Sequence, residues 1–82
     1  MINAPETESS QIVAAEIGIT VNGEPCRVPA GLNVEGLLSC LGIDPERVAI
    51  ELNRAIVRRP AWASSVVEDG AQLEIVQFVG GG

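Results

Sequence analysis

The sequence predicts an α+β fold: a sheet of four to five strands with one main helix packed on one face. Three observations predict it. Apolar residues alternate with polar ones in the segments 16–21, 48–52 and 72–78, the period of a half-buried strand. Asn22-Gly23 follows the first of these at once, and Asn-Gly is the strongest short hairpin signal. Val34, Leu37, Leu38 and Leu41 fall at helical spacing and form one apolar stripe.

The elements follow in order. Residues 1–14 are mixed and mostly polar, and are expected to form a disordered leader. The first strand is Glu16 to Val21, with Ile17, Ile19 and Val21 on one face. The second is Glu24 to Val28. Pro25 within it has no backbone N–H to give a neighbour, which makes it an edge strand. Pro29-Ala30-Gly31 breaks the pattern. Asn33 then caps a helix over Val34 to Leu41, its side chain accepting from the amide of Glu35 or Gly36. Leu32 is placed to staple onto Leu37, and Gly42 supplies the left-handed residue that ends the helix. Gly36 lies inside the helix at a cost of about 1 kcal/mol against Ala. Either something packs close there or the helix is weak.

Asp44-Pro45 makes a turn. Val48 to Leu52 is the third strand, Asn53-Arg54 turns the chain, and Ala55 to Val57 is a short fourth. Ala61 to Ser65 reads as a helical turn that carries Trp62 to the core margin. Glu68-Asp69-Gly70 is a tight turn before the last strand, Gln72 to Phe78. One helix covers one face of a sheet only. In the last strand Leu73 and Ile75 share the covered face, and Glu74, Val76 and Phe78 share the open one. Exposed apolar residues on a small protein point to a partner surface, the alternative being scattered surface apolar residues, which are normal; the C-terminal tail favours the first.

Composition narrows the function. The chain has 82 residues, enough for one domain. Its net charge is −6, from eleven acidic residues and five arginines. Nucleic acid is disfavoured as a ligand, because phosphate binding needs a basic face. The apolar runs are too short to span a bilayer, and no signal segment opens the chain. A cytoplasmic location is expected. There is no His and there are only two Cys, so no metal site is expected. Cys26 and Cys40 form no C-x-x-C pair, and both are expected to be small buried hydrophobes. The alternative is a persulfide-carrying or tail-linked thiol, for which Cys26 is better placed. Arg58-Arg59 is expected to be a solvated pair, with a partner salt bridge as its alternative. There is no Lys, so copies of this chain have no ε-amine through which to join one another.

The sequence finishes on Gly80-Gly81-Gly82, directly after the apolar strand segment that runs through Phe78 and Val79. Glycine costs the most backbone entropy to order and adds no side chain to pack. Three in succession make a poor end to a fold and a good stalk for a carboxylate, slim enough to enter a narrow channel. The chemistry is expected at the α-carboxyl group of Gly82. The alternative is a frayed terminus. No side-chain constellation for acid–base or nucleophilic catalysis is present.

Several stretches carry a resemblance. They are Ala49-Ile50-Glu51-Leu52-Asn53 with Ile56-Val57 behind it, Arg59 to Trp62, Glu68-Asp69-Gly70, and Glu74 through Gly82. In that order, and with that tail, the chain from about residue 16 to 82 resembles the ubiquitin-like β-grasp sulfur carriers, and among them the ThiS family of thiamine biosynthesis. The resemblance implies a mixed sheet, a β-grasp domain over 15–79 and a flexible tail over 80–82. It implies a protein cosubstrate that is not itself an enzyme. Gly82 would be adenylated by an E1-like, ThiF-type adenylyltransferase that uses ATP, with no cofactor held by the carrier. Sulfur from a cysteine desulfurase relay would convert it to a thiocarboxylate, which donates sulfur to a ThiG-type thiazole synthase. Gly80 and Gly81 would serve tail passage, and Val76, Phe78 and Val79 partner docking. Three alternatives remain open: the small subunit of molybdopterin synthase, a protein modifier joined to lysines through Gly82, and a plain binding module.

Overall fold

The structure, a computed structural model, describes residues 15–78. Leader residues 1–14 and tail residues 79–82 lie outside the described residues. The elements are β1 (Glu16–Val21), β2 (Glu24–Pro29), α1 (Val34–Leu41), a 3-10 turn (Pro45–Arg47), β3 (Val48–Leu52), β4 (Ala55–Val57), a second 3-10 segment (Arg59–Ser64) and β5 (Gln72–Gln77). The five strands form one mixed sheet in the order β2-β1-β5-β3-β4. β1 and β5 run parallel at its centre, and the other neighbours are antiparallel. β2 is an edge strand, as Pro25 requires.

Local chemistry sets the boundaries. β1 turns into β2 at Asn22, which takes a φ of 51°. Asn33 caps α1, with Oδ1 accepting from the Gly36 amide at 2.7 Å. Its Nδ2 donates to the Ala63 carbonyl at 3.1 Å, so one side chain starts the helix and ties it to the second 3-10 segment. Gly42 closes the helix with a φ of 73°. Gly36 is there for close packing: a Cβ on it would lie 3.2 Å from Leu32 Cδ2 and 3.3 Å from Asn33 Oδ1. Leu32 packs against the core beside the helix start.

The core lies between α1 and one face of the sheet. Val34, Leu37 and Leu38 from the helix meet Ile19, Val28, Ile50, Leu73 and Ile75 from four strands. Trp62 goes deeper than the margin expected of it: it is 2 % exposed, and its Nε1 donates to the Val57 carbonyl at 2.9 Å. That bond satisfies its one polar atom and makes full burial tolerable.

Several expectations are corrected. β2 runs one residue further, to Pro29, because Glu16 still pairs with it. β5 stops at Gln77, since the residue facing Phe78, Arg47, belongs to the 3-10 turn rather than to β3. The segment before β3 is a 3-10 turn, capped by Asp44 Oδ1 on the Glu46 amide at 2.9 Å. The later helical turn begins at Arg59 rather than Ala61, with Pro60 in its first turn. Cys40 is exposed and Cys26 half-buried, because Cys40 lies off the Val34-Leu37-Leu38-Leu41 stripe. Arg58 and Arg59 are both exposed, as expected of a solvated pair, and Arg59 adds a surface contact. Arg59 Nη2 lies 2.8 Å from Glu46 Oε2, and its guanidinium sits 5.4 Å from the Trp62 ring centre. Hydrogen bonding to Glu46, and then its charge, raise the Arg59 pKa above its ordinary value.

The cap gives a direct test. Asn33→Ala removes both bonds and is expected to destabilise the domain by about 1–2 kcal/mol. Asn33→Asp keeps the cap and should lose less. Urea unfolding of the three proteins measures this. Equal stability of wild type and Asn33→Ala would mean the cap contributes nothing.

Candidate functional site

Two surfaces meet where β5 ends. The first is the open face of the sheet. The β3–β5 register sets Ala49 opposite Val76 and Glu51 opposite Glu74, and the β3–β4 register sets Ile56 opposite Glu51. Alternation sends all five side chains away from the helix. Ile56 is 73 % exposed, and Val76 and Phe78 are each 57 % exposed. Ala49, Glu51, Ile56, Glu74 and Val76 rim an open depression of about 160 Å³ over Ile50. Like charges directly opposite on neighbouring strands are unfavourable, so the Glu51–Glu74 placement brings the fold no stability.

The second surface is the base of the tail. The Phe78 amide donates to the Arg47 carbonyl at 2.7 Å, which holds the backbone at the last described residue. Phe78 itself stays exposed, two residues beyond Val76. The structure therefore brings Val76 and Phe78 to one exposed apolar end of β5. Val79, Gly80, Gly81 and Gly82 lie outside the described residues. Among the described residues, no three His, Cys, Asp or Glu side chains gather as a metal site.

Sequence reasoning missed Ile56 and Ala49. β4 is three residues long, too short to show a period, and only the pairing with β3 tells which of its side chains face outward. Ala49 was legible as the polar-phase residue of its strand, but its pairing with Val76 across β3 and β5 was not.

A model described as the ThiS family matches residues 19–82. The chain belongs to the ThiS family. Relatives agree with this membership. The sulfur carrier protein ThiS of Escherichia coli (strain K12) is 34% identical over 64 residues, which cover 78% of this chain and 97% of that protein. A thiazole synthase of Magnetococcus marinus is 47% identical over 64 residues, again 78% of this chain. This chain spans only 20% of that synthase's length. The crystal structure of the thiamine biosynthesis protein ThiS from Geobacter metallireducens matches with a TM-score of 0.70 at 40% identity, over 80% of this chain and 100% of that one. The ThiS fold of this chain is thus the ubiquitin-like arrangement of a five-stranded mixed sheet and one main helix.

None of the described helices of this ThiS-family chain is long and apolar enough to cross a membrane.

Proposed function

We propose that this chain is a sulfur carrier of thiamine biosynthesis that acts through the carboxylate of Gly82. The observation that carries the reading is the exposed apolar end of β5, Val76 and Phe78, separated by Val79 alone from three glycines in a chain of the ThiS family. A docking patch at the base of a side-chain-free stalk lets a partner grip the domain while the stalk enters its active site.

The chemistry explains why partners are needed. A carboxylate is a poor electrophile. In this reading an E1-like adenylyltransferase of the ThiF type lets the Gly82 carboxylate attack the α-phosphorus of ATP, releasing pyrophosphate and leaving an acyl-adenylate. A persulfide from a cysteine desulfurase relay attacks that carbonyl, and AMP leaves. A second thiol cleaves the resulting sulfur–sulfur bond, giving the Gly82 thiocarboxylate and a disulfide on the donor. Thiazole synthase of the ThiG type then takes the sulfur. The Magnetococcus marinus relative supports that partner, because a protein named thiazole synthase contains a stretch 47% identical to this chain. The chain is a cosubstrate with no bound cofactor, and its place is the cytoplasm, where ATP and reduced thiols are available. Gly80 and Gly81 give the tail passage. Val76, Phe78 and Val79 dock the partner, and Ile56 and Ala49 widen that patch.

Docking and folding separate in one variant. Phe78→Asp places a charge on the exposed patch and is expected to weaken adenylyltransferase binding by about 2 kcal/mol, the scale of an aromatic anchor at an interface. The melting temperature should hardly move, because Phe78 is outside the core. A large fall in melting temperature with unchanged affinity would place Phe78 in the fold instead.

Complementation tests the pathway. Expression of the chain should restore thiamine-independent growth to a strain lacking its own thiazole-pathway carrier. It should not restore molybdopterin synthesis to a strain lacking that pathway's carrier. The opposite pattern would assign it to molybdopterin synthase.

A further inference from the structure

β1 and β5 share only two register pairs, Thr20 with Gln72 and Val21 with Leu73. β1 then leaves the sheet at Asn22. Backbone groups of a strand point alternately to its two neighbours. The amides of Gln72 and Phe78 meet Asn53 and Arg47 on the β3 side, so those of Leu73, Ile75 and Gln77 turn toward β1. The Asn22 amide donates to the Leu73 carbonyl at 2.8 Å. For Ile75 no strand residue remains, and the Asn22 carboxamide takes that place. Its Oδ1 accepts from the Ile75 amide at 2.7 Å, and its Nδ2 donates to the Ile75 carbonyl at 3.1 Å. One side chain thus supplies both halves of a missing ladder rung. Gln77 is next in this lane, and neither β1 nor β2 has a residue in register with it. Among the described residues the last restraints on β5 are therefore one on each side, Asn22 on Ile75 and Arg47 on Phe78.

We propose that Asn22 is a positioning residue for the reaction at Gly82, its carboxamide fixing the direction in which β5 delivers the tail. The inference rests on the sulfur-carrier reading. At full extension the chain from Ile75 to Phe78, the last described residue, spans about 10 Å. A tilt of about 5° at Ile75 then moves the point from which the tail departs by about 1 Å. Misplacement by about 1 Å can cost a reaction about a hundredfold. A turn residue needs only its positive φ; a positioning residue needs the carboxamide as well. Asn22→Gly separates the two, because Gly takes positive φ without strain and keeps the hairpin.

The test uses the full chain with its adenylyltransferase. ATP–pyrophosphate exchange is measured against carrier concentration, beside melting temperature and hydrogen exchange of the Ile75 amide. For Asn22→Gly the expected result is a melting temperature within a few degrees of wild type and Ile75 exchange faster by about tenfold. The kcat should fall about 10- to 100-fold, with KM for the carrier little changed because the docking patch is intact. Asn22→Asp keeps the acceptor for the Ile75 amide and should stand between the two. A wild-type kcat in Asn22→Gly, or a loss confined to KM, overturns the inference and leaves the carrier reading standing. A collapse in melting temperature makes Asn22 a fold residue and also overturns it. Wild-type chain that stays inert while a control carrier is turned over removes the carrier reading and this inference with it.

Discussion

Deleting Gly82 is expected to reduce ATP–pyrophosphate exchange to background while leaving the melting temperature unchanged. The reason is reach rather than stability. The core that holds the domain is built from residues 19 to 75, and among the described residues the last bond that fixes the end of β5 is at Phe78. Removing the final residue takes away none of them. It does withdraw the carboxylate by one residue, about 3.5 Å along an extended chain. An attacking oxygen must come within about 3–3.5 Å of its target, so a stalk shortened by that much no longer aligns. The shortened chain should still compete with wild type for the adenylyltransferase, since Val76 and Phe78 are untouched. Exchange that continues at the wild-type rate would sink the assignment of chemistry to Gly82.

Leu37→Ala is expected to have the largest effect on the fold, a loss of about 2–5 kcal/mol. Leu37 is 0% exposed and lies in the middle of the stripe that α1 presses on the sheet. Deleting most of its side chain removes buried apolar surface and leaves a cavity that a single helix, pinned by Asn33 at one end and Gly42 at the other, closes poorly. A domain of this size has roughly 3–10 kcal/mol of stability in all. The substitution removes a large part of it, and the melting temperature should drop by at least about 10 °C. Denaturant unfolding and thermal melts measure both. A drop of only a few degrees would mean that α1 is not held against the sheet through this stripe.

The fold was legible where a local cause decides it. The alternation in β1, β3 and β5, the Asn22-Gly23 hairpin, the Asn33 cap and the Gly42 stop each act within a few residues, so the sequence displays them. The exposure of Val76 and Phe78 was also legible, because a single helix leaves one face of a sheet open. What was not legible depends on contacts between distant segments. Asn22 and Asn53 read as turn residues, and both take a φ of 51°. Nothing in the sequence says that their side chains reach Ile75 and Gln72 and bracket β5. Arg59 is exposed as expected, but its surface ion pair with Glu46 depends on the 3-10 turn that brings the two segments together. Ile56 belongs to the candidate docking surface through its pairing with Glu51, which a three-residue strand does not announce. Cys40 was misplaced for a simpler reason. Free cysteines are mostly buried, but Cys40 lies off the apolar stripe of α1 and is exposed.

The central claim is that Gly82 carries sulfur, and intact mass spectrometry tests it most directly. The full chain is incubated with ATP, cysteine, a cysteine desulfurase and the adenylyltransferase, then weighed and fragmented. The expected result is a mass gain equal to replacing one oxygen by sulfur, located at Gly82. An unchanged mass, under conditions in which a control carrier is converted, would contradict the account.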